Sequence, residues 1–148
     1  PGVDETGRSY AVLAFGADAA PVAARWCERI AALGRPVRRA GPSVEEALGA
    51  LEGWLAEATV GWRLMLAGPE ADLLRAHAAA LAGGALDAEL RILVTGDRRR
   101  RVRCAHCTAT TEADVRPGEH VRCSGCDRTL VVHAHVSRSL AAYLGSVP

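Results

Sequence analysis

The stretch CAHCTATTEADVRPGEHVRCSGC, residues 104–126, holds two C-x-x-C clips separated by fifteen residues. Two such clips at this separation predict a four-cysteine metal site. Each sets two thiolates on one tight turn, and two facing turns offer four sulfurs at the corners of a tetrahedron, the geometry structural zinc prefers. The candidate ligands are Cys104, Cys107, Cys123 and Cys126. With sulfur at every corner no position is left for water or substrate, so the expectation is a zinc ribbon with one structural ion, not a hydrolytic centre. Gly125 is read as supplying the freedom in φ that the second turn needs, with Thr108 and Asp127 as ordinary polar exits. Two other readings share the same sulfurs: a rubredoxin-like iron centre that carries electrons, and a pair of disulfides, disfavoured where nothing resembles a secretory signal.

His106 lies within the first clip, and His133 and His135 follow the second. His106 is expected to face solvent, since four thiolates already satisfy a metal. His133 and His135 alternate in VVHAHV and so share one strand face; they are read as half-exposed strand residues, with a second metal as the alternative.

Moving outward, 148 residues suffice for one ordinary domain and one small one. No apolar run reaches eighteen residues, so a soluble, cytoplasmic protein without a membrane partner is expected. All eighteen basic residues are arginine and the chain has no lysine, asparagine or glutamine, a bias of the kind GC-rich coding produces. Charge is divided unevenly. Residues 1–97 hold nine Arg against thirteen Asp and Glu, and residues 98–148 hold nine Arg against four acids. A mildly basic ribbon suits an acidic protein partner as well as a nucleic acid.

Upstream, YAVLAF at Tyr10–Phe15 predicts a strand, and Val22, Trp26, Ile30 and Leu33 recur at helical spacing. Residues 35–40 predict an edge-like second strand. Ser43 with Glu46 forms a capping box ahead of the helical face Val44, Leu48, Leu51 and Leu55. WRLMLA at 62–67 reads as a central parallel strand. It enters a Gly68-Pro69 turn and a helix carrying Leu73, Leu74, His77 and Leu81, and a fourth strand follows at 89–95. This alternation predicts an α/β fold class: a small Rossmann-like parallel sheet with helices over residues 1–97, a zinc ribbon over 98–136, and a docking tail over 137–148. Cys27 falls on the first helix and is read as a small core residue.

In such a sheet the ligand crevice lies at the carboxyl ends of the strands, here the turns at Gly16 and Gly68. A dinucleotide site needs closely placed glycines there. GADAAP offers only Gly16 and adds Asp18, so the crevice is read as degenerate. No Ser, His and acid set and no paired carboxylates stand out, so no catalytic and no cofactor-binding residue is assigned.

Two resemblances can be named on these residues. GADAAP followed by LMLAGPEADLL resembles an abridged nucleotide half of the ferredoxin reductase family, with Ala67 where that family has cysteine. From WRLMLAGPEADLL through CAHC and CSGC to TLVVHAHVSRSLAAYLG, the chain resembles the small zinc-ribbon subunit of bacterial dimethylamine monooxygenase, the DmmA-like family. That resemblance implies a non-catalytic accessory subunit of an NADPH-dependent oxidative demethylase, joining subunits that carry haem, flavin and an iron–sulfur cluster. An iron redox carrier and a nucleic-acid-binding ribbon are the alternatives. Against the latter, no Phe, Tyr or Trp occurs between residues 63 and 142 for a base to stack on. In the tail, Leu140, Tyr143 and Leu144 recur at helix-like spacing beside Arg138. These four are the candidate partner-binding residues, on a partner subunit or back on the α/β layer.

Overall fold

The computed structural model describes residues 2–148. The first half alternates as the sequence predicts: β1 (Ser9–Ala14), α1 (Ala20–Ala32), β2 (Val37–Ala40), α2 (Val44–Glu57), β3 (Trp62–Pro69), α3 (Glu70–Ala82) and β4 (Leu90–Gly96). The four strands form one parallel sheet in the order β2-β1-β3-β4. Strand β3 alternates its apolar residues between two cores. Leu64 and Leu66 join Ala47 and Leu51 of α2 and Leu73 of α3 on one face; Met65 and Ala67 join Trp26 and Ile30 of α1 on the other. Helices on both faces are what make a parallel strand read as a continuous apolar run. The α2 helix starts where the Ser43 Oγ accepts from the Glu46 N–H at 3.3 Å, closing one of the open backbone donors of the first turn.

The segment before β1 is pinned by Asp4, whose carboxylate takes the Thr6 hydroxyl and N–H and pairs with Arg63 at 2.9 Å. The Thr6 hydroxyl foremost, with Arg63 behind it, holds the Asp4 carboxyl down to about 2. A depressed carboxyl stabilises the fold above its unfolded value near 4 and loses that contribution as pH falls through the folded one. Asp4→Asn is therefore expected to cost about 1–2 kcal/mol at neutral pH and to flatten the stability profile between about pH 4 and 2. Urea midpoints of both proteins across that range measure it.

The second half is all strand: β5 (Arg99–Cys104), β6 (Thr110–Asp114), β7 (His120–Arg122), β8 (Thr129–Ser137) and β9 (Ala142–Ser146). They form a second sheet in the order β6-β5-β9-β8-β7. The docking tail expected over 137–148 is not a separate element: Ala142–Ser146 form β9, from which Tyr143 reaches Glu70, while Arg138 reaches Asp87, so these two residues meet the α/β layer. The spacing of Leu140, Tyr143 and Leu144 is a coincidence of period, because the chain turns through Ala141 at φ 53 and then runs extended. Strand β9 lies in the middle of the sheet, parallel to β5 and antiparallel to β8. Gly145 is what lets it fit, since a Cβ there would come within 2.6 Å of the Val102 side chain.

The two sheets meet along α3. Leu74 packs against the ribbon core of Val102, Leu130, Val132 and Tyr143. Around it Arg99 pairs with Asp72 at 2.7 Å, Arg138 with Asp87 at 3.3 Å, and Arg100 approaches Glu70 at 3.7 Å. Much of the charge asymmetry in the sequence is thus closed inside the molecule, acids of the first half facing arginines of the second. Among the described residues no helix is long and apolar enough to cross a membrane.

Candidate metal centre

Two turns of the same construction carry the cysteines. In the first, the Thr108 N–H donates to the Cys104 carbonyl and the Cys104 N–H to Ala109; in the second, Asp127 donates to Cys123 and Cys123 to Arg128, all at 2.9–3.0 Å. The first turn joins β5 to β6 and the second joins β7 to β8, so each clip sits at the end of its own hairpin. The residue after each clip is left-handed, Thr108 at φ 65 and Asp127 at φ 60. These positions do what Gly125 was expected to do; an aspartate tolerates the conformation and a β-branched threonine resists it. Arg122 braces Asp127 with two bonds of 3.0 and 2.6 Å. Gly125 serves closeness instead of φ, because a Cβ there would lie 2.9 Å from Cys107 Sγ and 2.6 Å from the Ala109 Cβ.

The four sulfurs converge within 4.8 Å of one another. Cys104 Sγ lies 3.8 Å from Cys126 Sγ, and Cys107 Sγ 3.4 Å from Cys123 Sγ. A tetrahedron with zinc–sulfur bonds of about 2.3 Å has edges of about 3.8 Å, so the donor set fits one four-coordinate ion. Backbone amides already point at the thiolates: Cys107 N–H to Cys104 Sγ at 3.5 Å and Gly125 N–H to Cys123 Sγ at 3.3 Å. The amides of Cys126 and Gly125 hold the Cys123 thiol down to about 6, and that of Cys107 lowers Cys104. At Cys107 the Ala109 amide pulls the thiol down, but the Cys123 sulfur, burial and the sulfurs of Cys104 and Cys126 together outweigh it and push it up to about 11. Four sulfurs this close resist ionising together, and a divalent cation between them removes the conflict.

Gly125→Ala is expected to weaken metal binding at least tenfold, because the added methyl displaces either Cys107 or Ala109. Competition with a colorimetric chelator reads this directly; unchanged affinity would mean that the turn relaxes freely.

Thr111 and Ser124 were not legible as site residues. The Ser124 N–H donates to Thr111 Oγ1 at 2.9 Å, tying the second clip to β6; no spacing rule links two hydroxyl residues thirteen apart. Of the histidines, His106 and His135 are exposed, and His133 bonds Ser146 Oγ at 2.6 Å. No other metal-holding group occurs among the described residues. Cys27 packs partly against the α1 core, and burial raises its thiol. At the other crevice, a Cβ on Gly68 would meet Phe15 at 2.9 Å, and one on Gly16 the Pro69 ring at 3.8 Å; the two turns pack on each other.

The four tail residues do not form one surface. Tyr143 is buried and donates to Glu70 Oε1 at 2.7 Å, with the Arg100 guanidinium 5.3 Å from its ring centroid. Leu144, the next residue, is exposed on the opposite face, Leu140 is exposed in the turn, and Arg138 pairs with Asp87.

Fold and site together define a small α/β layer joined to a closed four-thiolate ribbon. Residues 101–146 match the family described as dimethylamine monooxygenase subunit DmmA-like, C-terminal domain. Over 104 residues the chain is 39% identical to the haem-dependent oxidative N-demethylase delta subunit of Ectopseudomonas mendocina (strain ymp). That match covers 70% of this chain and 58% of the relative, so the chain spans somewhat over half of the relative's length. No solved structure matches.

Proposed function

We propose that the chain is a non-catalytic accessory subunit of a haem-dependent oxidative N-demethylase. In this reading one zinc ion, held by Cys104, Cys107, Cys123 and Cys126, keeps the ribbon folded, while haem, flavin and an iron–sulfur cluster reside on partner subunits. The assembly draws on NADPH, acts on dimethylamine, and works in the cytoplasm. The observation that carries the reading is a convergence: the segment matching the DmmA-like domain is the segment that closes all four corners of a metal site with sulfur. A closed site supplies folding free energy and no open coordination position. When bound, the metal contributes cross-linking of two hairpins; the residues around it donate amide hydrogens to sulfur and hold the turns. The packed turns at Gly16 and Gly68 also favour a layer that serves contact over one that holds a dinucleotide.

The test is the purified chain alone and in its complex. A colourless protein with one equivalent of zinc, no NADPH oxidation by itself, and co-purification with a haem subunit active on dimethylamine is the expected result. Visible absorption from a ferric four-thiolate centre, or dye reduction by the isolated chain, overturns it.

A further inference from the structure

Strand β4 is the outer strand of the parallel sheet, and among the described residues its far edge meets no other strand. From Leu90 to Val94 it keeps regular register with β3, and the ladder shifts only opposite Gly68 and Pro69. That stretch, LRILV, contains no proline and has Arg91 as its single charged residue, a light guard for an exposed edge. Its inner face is also incompletely covered. Leu90 is buried by α3, but Ile92 and Val94 stay 39% and 50% exposed. They form the floor of a groove of ≈ 490 Å³, whose walls are Leu73 and Leu74 of α3 and Val136 of β8. Glu70 and Asp87 also line it, and the Asp87 carboxylate remains more than half exposed although it bonds both His77 and Arg138. Asp97, just past the strand, is largely exposed as well, with the Arg100 guanidinium 3.7 Å from its carboxylate.

We propose that the β4 edge and this groove take up an extended segment of another subunit of the same oxidase, an inference that rests on the accessory-subunit reading. Such a segment adds a fifth strand to the sheet through main-chain hydrogen bonds. It lays aliphatic side chains, two residues apart, over Ile92 and Val94, and carries a lysine or arginine that reaches Asp87 or Asp97. A second copy of this chain fits poorly. Two β4 edges joined around a twofold axis keep their side-chain alternation only when the axis passes through a residue. Centring on Ile92 keeps the regular stretch whole, and it brings Asp87 and Asp97 of the two copies to the same ends of the ladder. Like charges so placed oppose the pairing.

The experiment co-expresses the full chain with the remaining oxidase subunits and compares wild type with Ile92→Lys/Val94→Lys. As a control, Val60→Lys alters an exposed apolar residue outside the groove. Metal content and circular dichroism of each purified chain establish that it folds. A roughly tenfold or greater loss of assembly by the double variant alone, at unchanged metal content, is the expected result. Benzoylphenylalanine at position 94 should then cross-link to an aliphatic stretch of a different subunit. Undiminished assembly by the double variant, or a cross-link to a second copy of this chain, overturns the proposal while leaving the accessory role standing. Failure of the wild type itself to assemble overturns both.

Discussion

Removing the residues after Ser137 is expected to abolish the folded ribbon, at a cost above about 5 kcal/mol, the scale of a small domain's whole stability. The deletion takes out β9, which pairs with β5 from Val102 to Cys104 and with β8 at Val131, Val132, Val136 and Ser137. Two hairpins remain, β5–β6 and β7–β8, and an isolated two-stranded hairpin is marginal in water. Val102, Leu130 and Val132, all buried in the intact chain, would face the gap. Because the Ala105 N–H donates to the Gly145 carbonyl at 2.8 Å, the first cysteine turn also loses its support. Hydrogen exchange of β5 and β8 should become fast and metal content should fall below one equivalent, while the helices of the first half persist. A truncated chain that keeps one metal and slow exchange in β5 would show that the metal alone organises the ribbon.

Cys104→Ser or Cys123→Ser is the second large effect. Structural zinc contributes about 10–16 kcal/mol of apparent binding free energy to comparable small modules near neutral pH, more than a five-stranded sheet of this size supplies from its own core. Each variant should lose the metal, and limited proteolysis should then cut between residues 97 and 103. The α/β layer keeps its own two cores, so most of the helical signal should survive. It should melt earlier than wild type, because Leu74 and the Glu70–Tyr143 bond lose their ribbon partners. Stoichiometric metal retained by either serine variant would sink this account. Complete loss of helicity would show the two sheets to be a single cooperative unit.

What could be read from the chain follows from what is local. Strand β3 is legible because burial on both faces leaves it apolar after Arg63 at its start, and α2 because its cap lies three residues from its partner. The metal ligands are legible because a C-x-x-C turn is built within six residues. Strand β9 is not. Ala-Tyr-Leu-Gly-Ser is placed by pairing with residues forty positions earlier, and its apolar spacing happens to match a helix; Gly145, tight against Val102, was the one sign of a close backbone approach. The arginine run of 98–103 shows its sign in sequence but not its partners, which are divided between Glu70 and Asp72 of α3 and Glu112 and Asp114 of β6. Nor does any pattern mark Thr108 and Asp127 as left-handed, since neither residue type announces it.

The order of strands in the second sheet also has a consequence for biosynthesis. The hairpins bearing the two cysteine pairs are made first, and the strand that lies between them is made after both. Until Ser146 has left the ribosome, β5 and β8 lack their common neighbour, and the four sulfurs are held together by no backbone pairing across the two halves. Ion capture by the nascent chain then awaits the emergence of β9 and not that of Cys126 alone. Nascent chains stalled with Arg128 outside the ribosome and β9 still inside it should bind the metal far more weakly than chains from which β9 has emerged, and equal retention by both would place metal loading ahead of sheet closure.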